Sequence, residues 1–207
     1  MVHGYPAVWR YIRCDYLRGA YCESLDQLEI LKRSLMQNIF EMPEISWIRG
    51  GGIMSRADGR ESRKDNDLFF TCALIDYIAR QTKNKRSDVV NALGKNRITK
   101  IYDLADIYHS DNIERVSRDF IDEANITPGN FDNVAACRYS IPTCWDIGKV
   151  YKRLIKMTAE DEKSSIVDAL MKVYNSFISD KIDDYNSSVY YENPSYIFEC
   201  YKENKML

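Results

Sequence analysis

Asp103, Asp106 and His109 are the residues of this chain whose types and spacing come nearest to chemistry. On a helix, side chains three positions apart share a face, so Asp106 can reach His109. A carboxylate that orients an imidazole suits general acid–base catalysis. The same pair repeated on a facing helix would hold two metal ions. Only one such pair is present, and the other histidine, His3, stands at the N-terminus. The plainer expectation is a helix C-terminus, where His109 meets the last carbonyls and one aspartate bonds a neighbouring turn. These three residues are the weak catalytic candidates. No metal site and no cofactor is expected, and the balance lies against an enzyme.

A second constellation is cationic. Between residues 80 and 100 stand Arg80, Lys83, Lys85, Arg86, Lys95, Arg97 and Lys100, against Asp88 alone. Two short helices joined through Gly94 look like a helix-turn-helix whose second helix would enter the major groove and turn Arg97 and Lys100 to DNA. Ile98 and Ile101 lie off the usual spacing for that motif. Arg80, Lys83, Lys85, Arg86, Arg97 and Lys100 are therefore candidates for contact with a protein partner or a nucleic acid. A solvated basic loop is the alternative.

A third set, Arg49, Arg56, Arg60 and Arg63, flanks or follows Gly50-Gly51-Gly52, and arginines in such a loop suit a phosphate or carboxylate group. No P-loop lysine follows the glycines at the required spacing. None of the six cysteines forms a C-x-x-C pair, and small buried hydrophobes are the expected role for all six. No nucleophile has a histidine in a context that would activate it.

The elements that must position these residues read as helices. Ser24 with Gln27 forms a capping box before the stripe Leu28, Leu31, Leu35 and Ile39, which Pro43 stops. Glu44–Ile48 reads as a short strand or an extended packing segment. Ser55–Asp65 is charged and nearly free of apolar residues, which marks a linker or exposed loop and the best domain boundary. From Asp67 the periodicity is helical. Leu68, Cys72, Ile75 and Ala79 make one face, and Ser87 is the expected cap of a short helix that Gly94 ends in a left-handed conformation. Asp111 with Glu114, and Thr143 with Asp146, are further capping signals. Ile166, Leu170, Val173 and Phe177 mark one helix, and Asn193-Pro194 opens the last. The expected fold is all-α, an orthogonal bundle of about seven to eight helices, with an extended segment near 44–49 left open. Residues 1–64 are expected as an N-terminal helical segment and charged loop, and 65–207 as the helical core, with one continuous domain as the alternative.

Composition narrows the function classes. A net charge of −2 argues against general nucleic-acid coating and against a polybasic membrane anchor. No run approaches the length of a membrane span, and the N-terminus lacks the apolar stretch of a signal peptide, so a cytoplasmic chain with reduced thiols is expected. Fifteen tyrosines, with Tyr185, Tyr190, Tyr191, Tyr196 and Tyr201 near the C-terminus, suit half-buried positions and partner surfaces.

The pattern Ser87-Asp88-Val89-Val90-Asn91-Ala92-Leu93-Gly94, then Ile98, Ile101-Tyr102-Asp103-Leu104, Asp106 and His109, resembles a family of small helical bacterial domains of unknown function. The helices on either side fit as well, so the likeness covers residues 67–122. Genes of that family often neighbour genes for proteins resembling ADP-ribosyltransferase toxins. The resemblance implies an antitoxin- or immunity-like module that neutralises a toxin-like protein by covering its surface, and it carries over no catalytic residue. The alternatives are a nucleic-acid-binding regulator using Arg80–Lys100 and an enzyme acting on a phosphorylated or nucleotide substrate.

Overall fold

The computed structural model describes residues 61–207, and these form an all-α bundle. Helix α1 (Arg63–Thr82) starts where the Ser62 side chain accepts from the Asp65 amide. The end of the expected charged loop is thus already helix, with Ser62 serving as the N-cap. An expected single apolar face proves to be burial on every side. Asp67 through Asp76 are all buried, as suits a helix whose residues 68–75 offer no exposed polar stripe.

Eight further α-helices surround α1 among the described residues. Helix α2 (Arg86–Asp103) is followed by α3 (Ala105–His109), α4 (Ile113–Ala124) and the single turn α5 (Asn133–Ala136). Helix α6 (Cys144–Glu162) lies along α1 more extensively than any other helix. Then come α7 (Ile166–Tyr174), α8 (Phe177–Asp183), a 3₁₀ turn at Val189–Tyr191 and α9 (Pro194–Glu203). The expected extended segment near 44–49, the Ser24 helix, and Arg49, Arg56 and Arg60 lie outside the described residues.

The caps explain most boundaries. Thr143 and Asp146 form the full reciprocal box, and Asn193 caps α9 with Pro194 in its first turn. Three expectations need correction. Lys85, not Ser87, is the N-cap of α2, and it makes no side-chain cap bond. Asn112, not Asp111, caps α4 by accepting from the Glu114 amide, while Asp111 bonds the Asn112 amide. The stripe from Ile166 to Phe177 is broken at Asn175, so Phe177 opens α8 instead of closing α7. Gly94 does have positive φ (68°), and with ψ at 164° it ends the helical run from Arg86 at a kink beyond which helix resumes, so the expected helix end is there, though not in the left-handed α conformation. Only glycine adopts that backbone region without strain.

Side chains on α1, α2, α6 and α7 build most of the core. The Tyr151 and Tyr174 rings stack with centroids 4.1 Å apart and 10° between planes, and both residues are fully buried. The α1–α6 crossing is tight at Gly148, where an added Cβ would lie 3.1 Å from the Ala73 amide nitrogen and 3.2 Å from its Cβ. Gly148→Ala is therefore expected to destabilise the protein by about 1–3 kcal/mol through overpacking. Urea unfolding measures this, and an unchanged midpoint would show that the crossing has slack.

Ser165 caps α7, and its hydroxyl donates to Asp168 Oδ2 at 2.7 Å, while Lys95 donates to Asp168 Oδ1 at 2.5 Å. Lys95, then Ser165, hold the Asp168 carboxyl below the usual aspartate range. A depressed folded value stabilises at neutral pH, and that stabilisation is lost as pH falls through the folded value. Asp168→Asn should accordingly have a lower Tm than the parent at pH 7, and the gap should close on acidification below about pH 4. Thermal melts across pH 3–7 check this, and a constant gap would mean the lysine contact is immaterial.

Candidate functional site

Of the expected catalytic candidates, Asp103 ends α2 and Asp106 and His109 lie on α3. Asp106 pairs with Arg63 and Asp103 with Lys64 (3.6 Å), both across to the start of α1. His109 packs edge-on against Phe70, with ring centroids 5.5 Å apart, and near Trp145 at 6.4 Å. Among the described residues, no group of three or more His, Cys, Asp or Glu side chains is placed to hold a metal ion. Cys72 and Cys200 are buried and Cys137 and Cys144 half-buried, all as free thiols. Burial pushes the Cys72 thiol up to about 12.

The basic stretch is divided between surface and interior. Lys83 pairs with Asp132 at 3.1 Å, Lys85 with Asp180 at 2.8 Å, and Arg97 and Lys100 both with Glu123 at 3.2 Å. Each of these cations has an acidic partner contributed by another element. Arg86, the first residue of α2, is only 2% exposed. Its Nε donates to Asp76 Oδ1 at 2.7 Å, and its two terminal nitrogens reach Asp183 and the Tyr185 hydroxyl. Arg80 closes the cluster. Its Nε lies 2.6 Å from Asp76 Oδ2, and its two terminal nitrogens donate to the Pro142 carbonyl (2.8 Å) and the Tyr185 hydroxyl (2.7 Å).

Electrostatics explain why two carboxylates tolerate this depth. Burial alone opposes the Arg86 charge, but Asp76, with smaller contributions from Asp183 and two tyrosines, holds the guanidinium protonated. Burial raises the Asp183 carboxyl, Arg86 opposes that shift, and the Asp76 charge adds to it. Burial likewise pushes the Tyr185 phenol up to about 12, so it stays a neutral hydrogen-bonding group at any physiological pH. The Arg86 guanidinium also lies 5.6 Å from the Tyr151 ring centroid and 5.5 Å from that of Tyr185. The cluster thus joins α1, α2, α6 and α8 to the loops before α6 and after α8.

Those two loops carry the most exposed aromatic side chains among the described residues. Arg80 holds Pro142 of the first loop. Tyr185 begins the second, and Asn186 bonds back to the first by accepting from the Arg138 amide and donating to the Ala136 carbonyl. From these tethered loops project Tyr139 (71% exposed), Ile141 (48%) and Tyr191 (69%). Tyr190 stays buried, its ring tilted 38° against that of Tyr191 with centroids 4.1 Å apart, and edge-on to Tyr185 at 5.8 Å. Beside Tyr191 is a hollow of about 240 Å³ whose apolar lining includes Val150, Leu154 and Ile197, with Lys149 and Arg153 at its edge. A large exposed tyrosine on a fixed loop beside an apolar hollow is the make-up of an interface anchor.

Sequence reasoning noticed the tyrosines near the C-terminus but missed Tyr139 and Ile141. No local signal marks them, since single large apolar residues on a loop are common whether or not the fold covers them. Leu104 and Ile107 form a smaller exposed apolar pair at the start of α3. No helix among the described residues is long and apolar enough to cross a membrane. Comparison with protein-family models, with curated proteins and with solved structures finds no match for the chain.

Proposed function

We propose that this chain is a helical protein-binding module that covers a partner's surface with the Tyr139, Ile141 and Tyr191 loops. The carrying observation is that these three exposed side chains stand on loops fastened to each other and to the buried Arg86 cluster. Rigid aromatic anchors lose little conformational entropy on binding, so pre-tethered loops favour tight association. The likeness of residues 67–122 to small helical domains encoded beside ADP-ribosyltransferase-like proteins suggests the partner, a toxin-like protein held inactive by occlusion. The pairing of Lys83, Lys85, Arg97 and Lys100 with acidic residues favours this reading over a nucleic-acid interface.

Co-expression with the product of a neighbouring gene tests the reading. The two proteins are expected to co-purify and the partner's toxicity to be relieved. Tyr139→Ala combined with Tyr191→Ala should weaken the complex at least about 30-fold, roughly 2 kcal/mol, while leaving the chain's own stability within about 0.5 kcal/mol. Failure of both co-purification and growth rescue would remove the proposal. A complex indifferent to the double substitution would move the interface elsewhere. A gel-shift series in rising salt examines the nucleic-acid alternative, which requires binding that weakens as salt is added.

A further inference from the structure

Two members of the buried cluster, Asp183 and Tyr185, also line a groove of about 380 Å³ between α5, α8 and the residues that follow α8. Asp132, Asp180 and Asp184 stand on its other walls, and Lys85 is the one cationic residue among its lining. Asp183 is 3% exposed, and while its Oδ1 holds Arg86, its Oδ2 has no hydrogen-bond partner. A buried carboxylate oxygen without a donor is destabilising, and Asp183 is among the residues that line the groove.

Lys85 indicates what this groove accepts. Its ammonium donates to Asp180 Oδ1 at 2.8 Å and lies 5.8 Å from the Phe131 ring centroid. A carboxylate and an aromatic face together recognise a cation. The Lys85 side chain is 42% exposed, so it can withdraw into water. A planar guanidinium, with five donors in a fixed fork, serves several carboxylates at once, as Arg86 already serves Asp76 and Asp183. The groove's carboxylates do not converge as metal ligands.

We propose that this groove binds a guanidinium cation, which displaces Lys85, pairs with Asp180 and Asp184, donates to Asp183 and lies against Phe131. Both a free guanidino compound and an arginine side chain of another protein supply that group. The groove shares Tyr185 and Asn186 with the loop that leads to Tyr191, but none of Tyr139, Ile141 and Tyr191 lines it, so its failure would leave the protein-binding reading untouched.

The test is an NMR titration of the full chain with agmatine, with N-acetyl-arginine amide and with the neutral N-acetyl-citrulline amide. Saturable shifts at the Phe131, Asn133 and Asn186 amides are expected with a guanidinium probe. Binding should be at least about tenfold weaker for the citrulline probe and for the Asp180→Asn, Asp184→Asn double variant. Both substituted residues are exposed, so folding should be preserved. Binding of the blocked arginine amide would assign the site to a protein side chain, and binding of agmatine alone would assign it to a free compound. Absence of saturable shifts from either cation up to about 10 mM overturns the proposal. Equal binding of the citrulline probe, or an undiminished response in the double variant, overturns it as well.

Discussion

Arg86→Met should lower the unfolding free energy by about 3–5 kcal/mol, because it leaves Asp76 and Asp183 buried with too few donors. A domain of this size is stable by only about 5–15 kcal/mol, so the variant should stand close to unfolding. Arg86→Lys keeps the charge but replaces a planar fork with a compact ammonium, which cannot span Asp76, Asp183 and the Tyr185 hydroxyl together. Its loss should be intermediate. Adding Asp76→Asn and Asp183→Asn to Arg86→Met removes the uncompensated charges and should return part of the stability. Urea unfolding of the four proteins separates these outcomes. A loss below about 1 kcal/mol for Arg86→Met would mean that the ion cluster does not hold the bundle together.

The same variants bear on function. Arg80 and Arg86 both bond the Tyr185 hydroxyl, and Arg80 also holds Pro142, so the cluster fixes the origin of both loops that carry the exposed side chains. Partial loss of the cluster should therefore weaken partner binding even under conditions where the helices remain folded. Far-UV circular dichroism alongside binding distinguishes loosened loops from an unfolded chain.

The second large effect is expected at the tyrosine stack. Tyr151→Ala removes a fully buried ring that stacks on Tyr174 and faces Arg86, and it should cost about 3–5 kcal/mol. Tyr151→Phe keeps the ring and loses the hydroxyl's hydrogen bond with Ser179 at 2.8 Å and its contact with Arg86, so about 1 kcal/mol is expected. Tyr174 supplies the contrast. Its buried hydroxyl has only the weakly bonding Cys72 thiol beside it, so Tyr174→Phe should be neutral or slightly stabilising. Equal losses for the two phenylalanine variants would contradict this division between packing and hydrogen bonding.

Much of the fold was legible in the chain itself, and the legible parts were local. The Thr143 and Asp146 box, the Asn193-Pro194 start of α9 and the apolar run that becomes α1 depend on residues within a turn of each other. Helix periodicity therefore determined the all-α class and most boundaries. The misplaced boundaries are also instructive. Asn175 breaks what looked like one stripe, and beyond the Gly94 kink helix resumes directly instead of giving way to a loop.

Tertiary structure alone decided the site. Arg86 reads in sequence as one more cation in a basic stretch, yet its partners Asp76 and Asp183 lie 10 and 97 positions away. Lys85 and Lys95 are likewise neutralised by Asp180 and Asp168, each more than 70 positions distant. No local pattern reports which charge will meet which, since burial and pairing follow from how the helices stack. The exposure of Tyr139 and Tyr191 has the same origin: a tyrosine in a loop looks identical in sequence whether the fold covers it or leaves it outside.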